Sequence, residues 1–438
     1  MGSYVPNSPE TQAEMLSSIG IQDVRELYGN VPKSMFVKKL DLPHEMSELE
    51  VARAMEALAS KNHVFATCLR GAGSYRHYIP AVVKSVTGRE ELYTAYTPYQ
   101  AEVSQGILQS IFEYQTMICE LTGMEVSNAG VYDGASAAAE ALAMCVDRRR
   151  TKAYVSACVH PQVIETMQTY CFGSGVELTV LPCKDGRTDQ DALKDALGGD
   201  AACFFLQQPN YFGLVEDAAE IGRIVHEAGA KYIMGVNPIA CAILETPAAC
   251  GADIVTGEGQ PLGLDMAFGG PYLGIMAATK PLMRQLPGRI VGQTSDVDGK
   301  PGYVLTLTAR EQHIRREKAS SNICSNEQLC AFTAGIYLSA MGTEGLTQVA
   351  RQSVSKAHYL QKALKKAGLP PLYSGEFFHE FVTACDGVTA RKIVRALAKA
   401  EILGGLPVEG GILWCVTELA SRKELDRTAE IVKEVLAK

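Results

Sequence analysis

The sequence predicts an α/β protein with a large domain on a mostly parallel sheet and a small C-terminal α+β domain. Three features carry that expectation. From about residue 126, short apolar runs at 153–158, 176–181, 202–206, 232–236 and 254–255 alternate with helical patterns such as 218–228. Apolar strands alternating with helices describe a parallel sheet covered on both faces. A long helical stretch, 326–366, then breaks the alternation. Beyond it come a strand at 377–383, a helix at 389–400, a strand at 412–416 and a last helix from Ser421, with Leu425, Ala429, Val432 and Leu436 on one stripe.

The earlier elements follow from local chemistry. Ser8-Pro9-Glu10 reads as a helix N-cap with proline in the first turn. Ser47-Glu48-Leu49-Glu50 has the capping-box pattern and opens a helix whose apolar face is Val51, Met55 and Leu58. A loop of small residues, Arg70-Gly71-Ala72-Gly73-Ser74-Tyr75, follows, and residues 93–105 show no clear period. An amphipathic helix starts near Ser104, buries Ile107, Leu108, Ile111, Ile118 and Leu121, and ends at Gly123. Residues 272–278 read as one further strand. At 438 residues the chain exceeds a single compact core. The patterns divide it into an N-terminal helical arm with interface segments (1–125), a large α/β domain (126–300) and a small α+β domain (301–438).

Composition narrows the function classes. Hydrophobic residues make up 47% and charged residues 21%, with a net charge of −8, so the chain is globular and has no electrostatic case for wrapping nucleic acid. The short run Arg148-Arg149-Arg150 reads as a solvated helix end. Thirteen cysteines are scattered with no C-x-x-C pair and no zinc-ligand spacing. They read as free, buried thiols in a reducing compartment, with no metal site expected. The N-terminus lacks a basic region followed by an apolar one, so no signal peptide is expected. The stretch 328–343 is shorter than the roughly 20 apolar residues of a membrane span. A soluble, cytoplasmic protein is expected.

Four segments carry the chemistry. The first is Tyr96-Thr97-Pro98-Tyr99-Gln100-Ala101-Glu102-Val103-Ser104-Gln105-Gly106, and the second is Gly71-Ala72-Gly73-Ser74-Tyr75-Arg76-His77-Tyr78-Ile79-Pro80. The third is Arg316-Glu317-Lys318-Ala319-Ser320-Ser321-Asn322-Ile323-Cys324, and the fourth is Gln260-Pro261-Leu262-Gly263 with Gly269-Gly270-Pro271 downstream. Together they resemble the glycine decarboxylase (P-protein) family of the glycine cleavage system, with Ser320 where that family usually has Thr. The resemblance covers nearly the whole chain, and the length is similar to that of the separate alpha subunit of two-subunit systems. It implies fold type I, the transferase-like class of pyridoxal phosphate (PLP) enzymes.

PLP chemistry needs a lysine amine to hold the aldehyde as a Schiff base and a carboxylate against the pyridine nitrogen. In the fold type I order the acid follows one strand and the lysine the next. Here the strand 232–236 leads to Asn237, which is neutral, and the strand 254–256 leads to Gln260, whose amide cannot form a Schiff base. Both changes together predict no cofactor-binding residues and no catalytic residues of its own in this half. Asp133-Gly134-Ala135-Ser136-Ala137-Ala138 opens a helix where fold type I enzymes cradle the cofactor phosphate. With Asn237 and Gln260 changed, close packing of small residues is the preferred reading. For the same reason His160, at a position similar to a ring-stacking one, is expected to be structural.

The resemblance implies that a partner beta subunit holds PLP in an α2β2 heterotetramer. Glycine would be decarboxylated there and its aminomethyl group passed to the lipoyl group of H-protein. The alpha chain would complete the pocket with Tyr96, Tyr99 and Gln100 from the first segment and Ser321 and Asn322 from the third. Tyrosine offers a hydroxyl and an aromatic wall, and Ser and Asn offer neutral donors. For Tyr96 and Tyr99, packing is the alternative. Arg70, Tyr75 and His77 are candidates for the path of substrate or carrier, although a satisfied structural histidine is the first reading of His77. Two other functions compete: a self-sufficient PLP-dependent lyase or decarboxylase acting as a homodimer, and a non-catalytic scaffold of the beta chain.

Overall fold

The computed structural model describes residues 7–37, 40–267 and 270–437. The chain forms two compact units, Met1–Val64 and Phe65–Lys438. In the first, α1 (Pro9–Ser18) begins where Ser8 caps the Thr11 amide. Helix α2 (Glu48–Ala59) begins at the predicted capping box, with the Ser47 amide donating to the Glu50 carboxylate at 2.7 Å. Neither helix contains a buried residue, and Val51, Met55 and Leu58 on the apolar face of α2 are 46%, 60% and 55% exposed.

The second unit opens with the short strand β1 (Thr67–Cys68) and the long helix α3 (Gln105–Thr122). Helix α3 buries Leu108, Ile111, Tyr114 and Ile118 and stops at Gly123, whose φ of +74° is the left-handed conformation that glycine adopts without strain. The alternating region follows as β2 (Val126–Ser127), α4 (Gly134–Cys145), β3 (Lys152–Ser156), α5 (Pro161–Ser174), β4 (Glu177–Leu181), β5 (Ala201–Gln208), α6 (Ala218–Glu227), β6 (Lys231–Val236), β7 (Ile254–Glu258) and β8 (Gly274–Ala278). These strands form a seven-stranded sheet in the order β2-β8-β7-β6-β5-β3-β4. Strand β8 runs against both its neighbours, and the other pairs are parallel.

Alternate residues of the central strands enter two separate cores, because side chains alternate across a strand. Phe204, Leu206, Tyr232 and Met234 face one core, which includes Tyr114, Ile118 and Tyr337. Cys203, Phe205, Ile233 and Ile254 face the other, which is filled by α4 and α5 residues such as Ala137, Ala141, Leu142 and Met167. Both faces are therefore apolar, as the uninterrupted runs in the sequence require.

The chain then enters α7 (Gln328–Lys366), which is broken at Gly342, where φ is 60° and ψ −177°. The C-terminal part comprises β9 (Glu380–Ala384), α8 (Gly387–Ala398), β10 (Ile402–Leu403), β11 (Leu406–Val408), β12 (Gly411–Cys415) and α9 (Arg422–Leu436). Strands β9, β12 and β11 form an antiparallel sheet, and β10 pairs in parallel with β1. Trp414 and Phe381 sit in the core that this sheet shares with α8 and α9. The expected α/β architecture is thus observed.

One expectation is corrected. Cys158 and Cys183 form a disulfide, while the other eleven cysteines are free. The parallel pairing of β3 with β4 brings the two segments together: the Ala157 amide donates to Leu181 O, one residue before Cys158 and two before Cys183. Sequence spacing does not display a contact made through sheet pairing. Among the described residues, no helix is long and apolar enough to cross a membrane and no group of His, Cys, Asp and Glu could hold a metal ion.

Candidate functional site

The carboxyl ends of parallel strands are where an α/β sheet leaves room for a ligand. Here a cavity of about 370 Å³ lies at the ends of β5, β6 and β7, walled by the loop at Ala72–Tyr75, the start of α4, His160, His379 and Glu380. The register Gln208 to Val236 and Val236 to Gly257 sets Asn237 and Glu258 side by side at its floor.

Gln260 and Asn237, the residues expected at the lysine and acid positions, have other duties. Gln260 is 1% exposed. Its Oε1 accepts from the Tyr75 amide at 2.8 Å, and its Nε2 donates to Tyr75 O at 3.0 Å and Leu264 O at 2.8 Å. The carboxamide therefore makes both halves of a peptide-like pair with Tyr75 and fixes the 72–75 loop over the cavity. An amine could donate to the two carbonyls but could not accept from the Tyr75 amide. Asn237 accepts from the Ile239 amide at 2.9 Å and more weakly from Ala240 at 3.4 Å, so its oxygen ends β6 as a turn cap. Its Nδ2 and the Thr256 Oγ1 are buried without a hydrogen-bond partner among the described residues.

The start of α4 is filled from within. Asp133 caps the helix by accepting from the Ser136 amide at 2.7 Å. The Glu258 carboxylate accepts from the Gly134 amide at 3.0 Å, from Gln260 N at 2.9 Å and from Leu273 N at 3.3 Å. A Cβ at position 134 would stand 2.9 Å from Glu258 N, so glycine there permits the close approach of helix and strand. Close packing of small residues is what this segment provides, and the helix amide that could meet a phosphate already meets a carboxylate. Gln260, Asn237 and Glu258 together do not fit PLP, and no chemical step is assigned to that group in this cleft.

The cleft is electrostatically unusual. Burial holds the Glu258 carboxyl up at about 7, even though the Gly134, Gln260 and Leu273 amides pull it down. Burial likewise holds Glu380 up at about 7, against the Ala72 amide at 2.7 Å and the Tyr75 hydroxyl at 2.7 Å. His379 is driven well below the ordinary histidine range by burial and by the neighbouring His77. His160 is lowered by burial. Its Nε2 lies 2.9 Å from Ala72 O and its Nδ1 accepts from Gln162 N at 3.2 Å, an arrangement that clamps the 72–75 loop.

The sequence-derived candidates separate into two groups. In the first group Tyr75 lines the cavity, with its hydroxyl on Glu380 and its ring edge-on to His379 at 4.6 Å. His77 is buried away from the cavity, its Nδ1 2.7 Å from Glu418, and Arg70 donates to Gly404 O and Gly405 O at 3.1 Å. Both tie the loop to the C-terminal part. The second group, Tyr96, Tyr99, Gln100, Ser321 and Asn322, does not line the cavity. Arg289 links its two segments. The guanidinium lies 4.5 Å over the Tyr99 ring, its Nε donates to Cys324 O at 3.2 Å, and the Tyr99 hydroxyl donates to Ser325 at 3.3 Å. Tyr96, Gln100 and Asn322 are exposed, and the Ser321 hydroxyl accepts from Ile323 N at 3.1 Å. Gly269 of the fourth segment lies outside the described residues.

Sequence reasoning missed Glu258, Glu380 and Arg289. An acidic residue two positions before the expected lysine was a usable signal for Glu258. Glu380 arrives from the C-terminal sheet, and no local pattern announces it.

Comparison with known proteins gives a consistent set of relatives. A family model described as glycine cleavage system P-protein matches residues 2–432. A Moorella thermoacetica protein named probable glycine dehydrogenase (decarboxylating) subunit 1 is 49% identical, covering 99% of this chain and 100% of the relative. A Desulfitobacterium hafniense protein of the same name is 46% identical over the same shares. Among solved structures, a glycine decarboxylase (P-protein) of the glycine cleavage system in inhibitor-bound form superposes with a TM-score of 0.93 at 40% identity, covering 99% of this chain and 100% of that one. A sphingosine-1-phosphate lyase from Burkholderia pseudomallei, 15% identical with a TM-score of 0.68, covers 92% of this chain and 94% of its own and shares the fold alone. The fold is that of fold type I PLP-dependent enzymes.

Proposed function

The chain belongs to the glycine cleavage system P-protein family, and from that membership we propose that it completes, from outside, an active site whose PLP is held by a partner beta subunit. It is the alpha subunit (subunit 1) of glycine dehydrogenase (decarboxylating), an oxidoreductase of the glycine cleavage system. The observation that carries the proposal is the state of its own cleft: the Gln260 carboxamide is bonded to Tyr75, the Asn237 oxygen caps a turn and the Glu258 carboxyl sits on a helix amide.

The partner's PLP supplies an electron sink when glycine loses its carboxylate as carbon dioxide. The lipoyl disulfide of H-protein is then reduced as one of its sulfurs takes the aminomethyl group. This chain contributes walls and orientation. The exposed Tyr96, Gln100 and Asn322 belong to the first and third segments, which Arg289 joins through the Tyr99 ring and Cys324 O. Tyr96, Tyr99, Gln100, Ser321 and Asn322 would line the shared pocket. The exposed apolar face of α2 would be covered by the beta chain in an α2β2 assembly, because so contiguous an apolar stripe is costly in water. Arg70, Tyr75 and His77 act on this reading as supports for the loop, and the cytoplasm is the proposed compartment.

The test mixes this chain with a PLP-bearing beta subunit and follows glycine-dependent release of carbon dioxide. The mixture should be active and this chain alone inactive, with or without added PLP. Tyr99→Phe and Asn322→Ala in the mixture should each lower kcat by about tenfold or more, the equivalent of one charge-assisted hydrogen bond, with the complex intact by sedimentation. Unchanged kcat in both, in an intact complex, leaves this chain only a scaffold role.

A further inference from the structure

The loss of a lysine alone would leave a cleft still able to bind phosphorylated compounds without a Schiff base. We propose that the Glu258 carboxyl occupies a phosphate seat, so that this cleft refuses phosphorylated ligands in its own right. Three backbone N–H groups from three separate segments converge on one carboxylate: Gly134 at 3.0 Å, Gln260 at 2.9 Å and Leu273 at 3.3 Å. One of them belongs to the first turn of the twelve-residue helix α4. Converging amides at a helix N-terminus form an anion site whatever the anion is. Here the acceptor is a carboxyl group supplied by the chain.

The neighbourhood reinforces the exclusion. Among the described residues no lysine or arginine lines the cavity, whereas Asp133, Glu258 and Glu380 do. A phosphate dianion would therefore have to displace one carboxyl group and enter beside two more. The plug is also rigid. Glu258 closes β7, its backbone lies against Gly134, and the next polar residue along the chain, Gln260, is locked to Tyr75.

The test uses the full chain and inorganic phosphate as the probe. Glu258→Ala removes the competitor and leaves three part-buried N–H donors unpaired. Charge-assisted bonds to these donors then become available, so phosphate affinity should rise at least about tenfold over the unmodified chain. The readouts are 31P line broadening and a phosphate-dependent rise in melting temperature. Hydrogen exchange should slow in residues 133–138 on adding phosphate to the variant only. If Glu258→Ala does not fold, Glu258→Ser serves, since its short hydroxyl cannot reach all three donors. Glu258→Gln, which keeps an acceptor in the seat, should stay refractory to phosphate. A folded Ala or Ser variant that binds no phosphate, or an unmodified chain that binds it equally well in this segment, overturns the proposal.

Discussion

Gln260 should be a structural residue whose removal is felt throughout the loop it holds. Its side chain makes three hydrogen bonds, at 2.8, 3.0 and 2.8 Å, and is 1% exposed. Gln260→Ala deletes all three and leaves the Tyr75 amide, Tyr75 O and Leu264 O to find other partners in a largely dry place. At roughly 1 kcal/mol net per bond, with more for each buried group that stays orphaned, the loss should be about 3–4 kcal/mol. Gln260→Glu is the sharper probe. It keeps the acceptor for the Tyr75 amide but turns an oxygen toward two carbonyls, so it should cost nearly as much despite equal volume. Urea unfolding of the purified chain reads the loss as a lower midpoint at constant slope. Hydrogen exchange should show residues 73–78 opening first. A change below about 1 kcal/mol in both variants, with the Tyr75 amide still protected, refutes the assignment.

Other outcomes follow from the same geometry. Glu258 and Glu380 each hold a proton up to about 7 in the folded chain, against 4.5 ordinarily. The folded state therefore binds more protons than the unfolded one between these limits. Their contribution to stability is fully present below pH 4.5 and is lost as pH rises through 7, by up to about 3 kcal/mol per group at 1.4 kcal/mol per unit. Glu380→Gln should flatten that slope in urea midpoints measured from pH 5 to 8, and an unchanged slope counts against a buried, proton-holding Glu380. Trp414 Nε1 donates to Thr383 Oγ1 at 2.8 Å with both residues fully buried. Thr383→Val keeps the shape but orphans the indole N–H and should lower stability by about 1–3 kcal/mol, read from the same midpoints.

How much of this was legible in the sequence depends on the range of the interaction involved. Local chemistry was readable. The capping box at Ser47, the glycine stop at Gly123 and the apolar runs that became β3 to β7 all appear where expected. Asn237 and Gln260 follow β6 and β7 in the chain, as the spacing of the apolar runs predicts. Their occupations were not readable. Gln260 is bonded to a residue 185 positions away, and the Tyr75 hydroxyl to Glu380, 305 positions away. The Cys158–Cys183 pair likewise depends on which strands neighbour each other. The link between the first and third segments depends on Arg289, which belongs to neither. Tertiary pairing decides each of these, and a linear pattern carries only its local half.

The central claim is that PLP chemistry in this enzyme belongs to the partner and not to this chain. The most direct measurement is borohydride reduction of the mixed, active enzyme followed by peptide mass spectrometry of both chains. Reduction fixes the cofactor on whichever lysine holds it. All pyridoxyl-lysine should be found in the beta subunit, and peptides covering residues 254–284 of this chain should be unmodified. A pyridoxyl group on any lysine of this chain, in stoichiometric yield, would contradict the account.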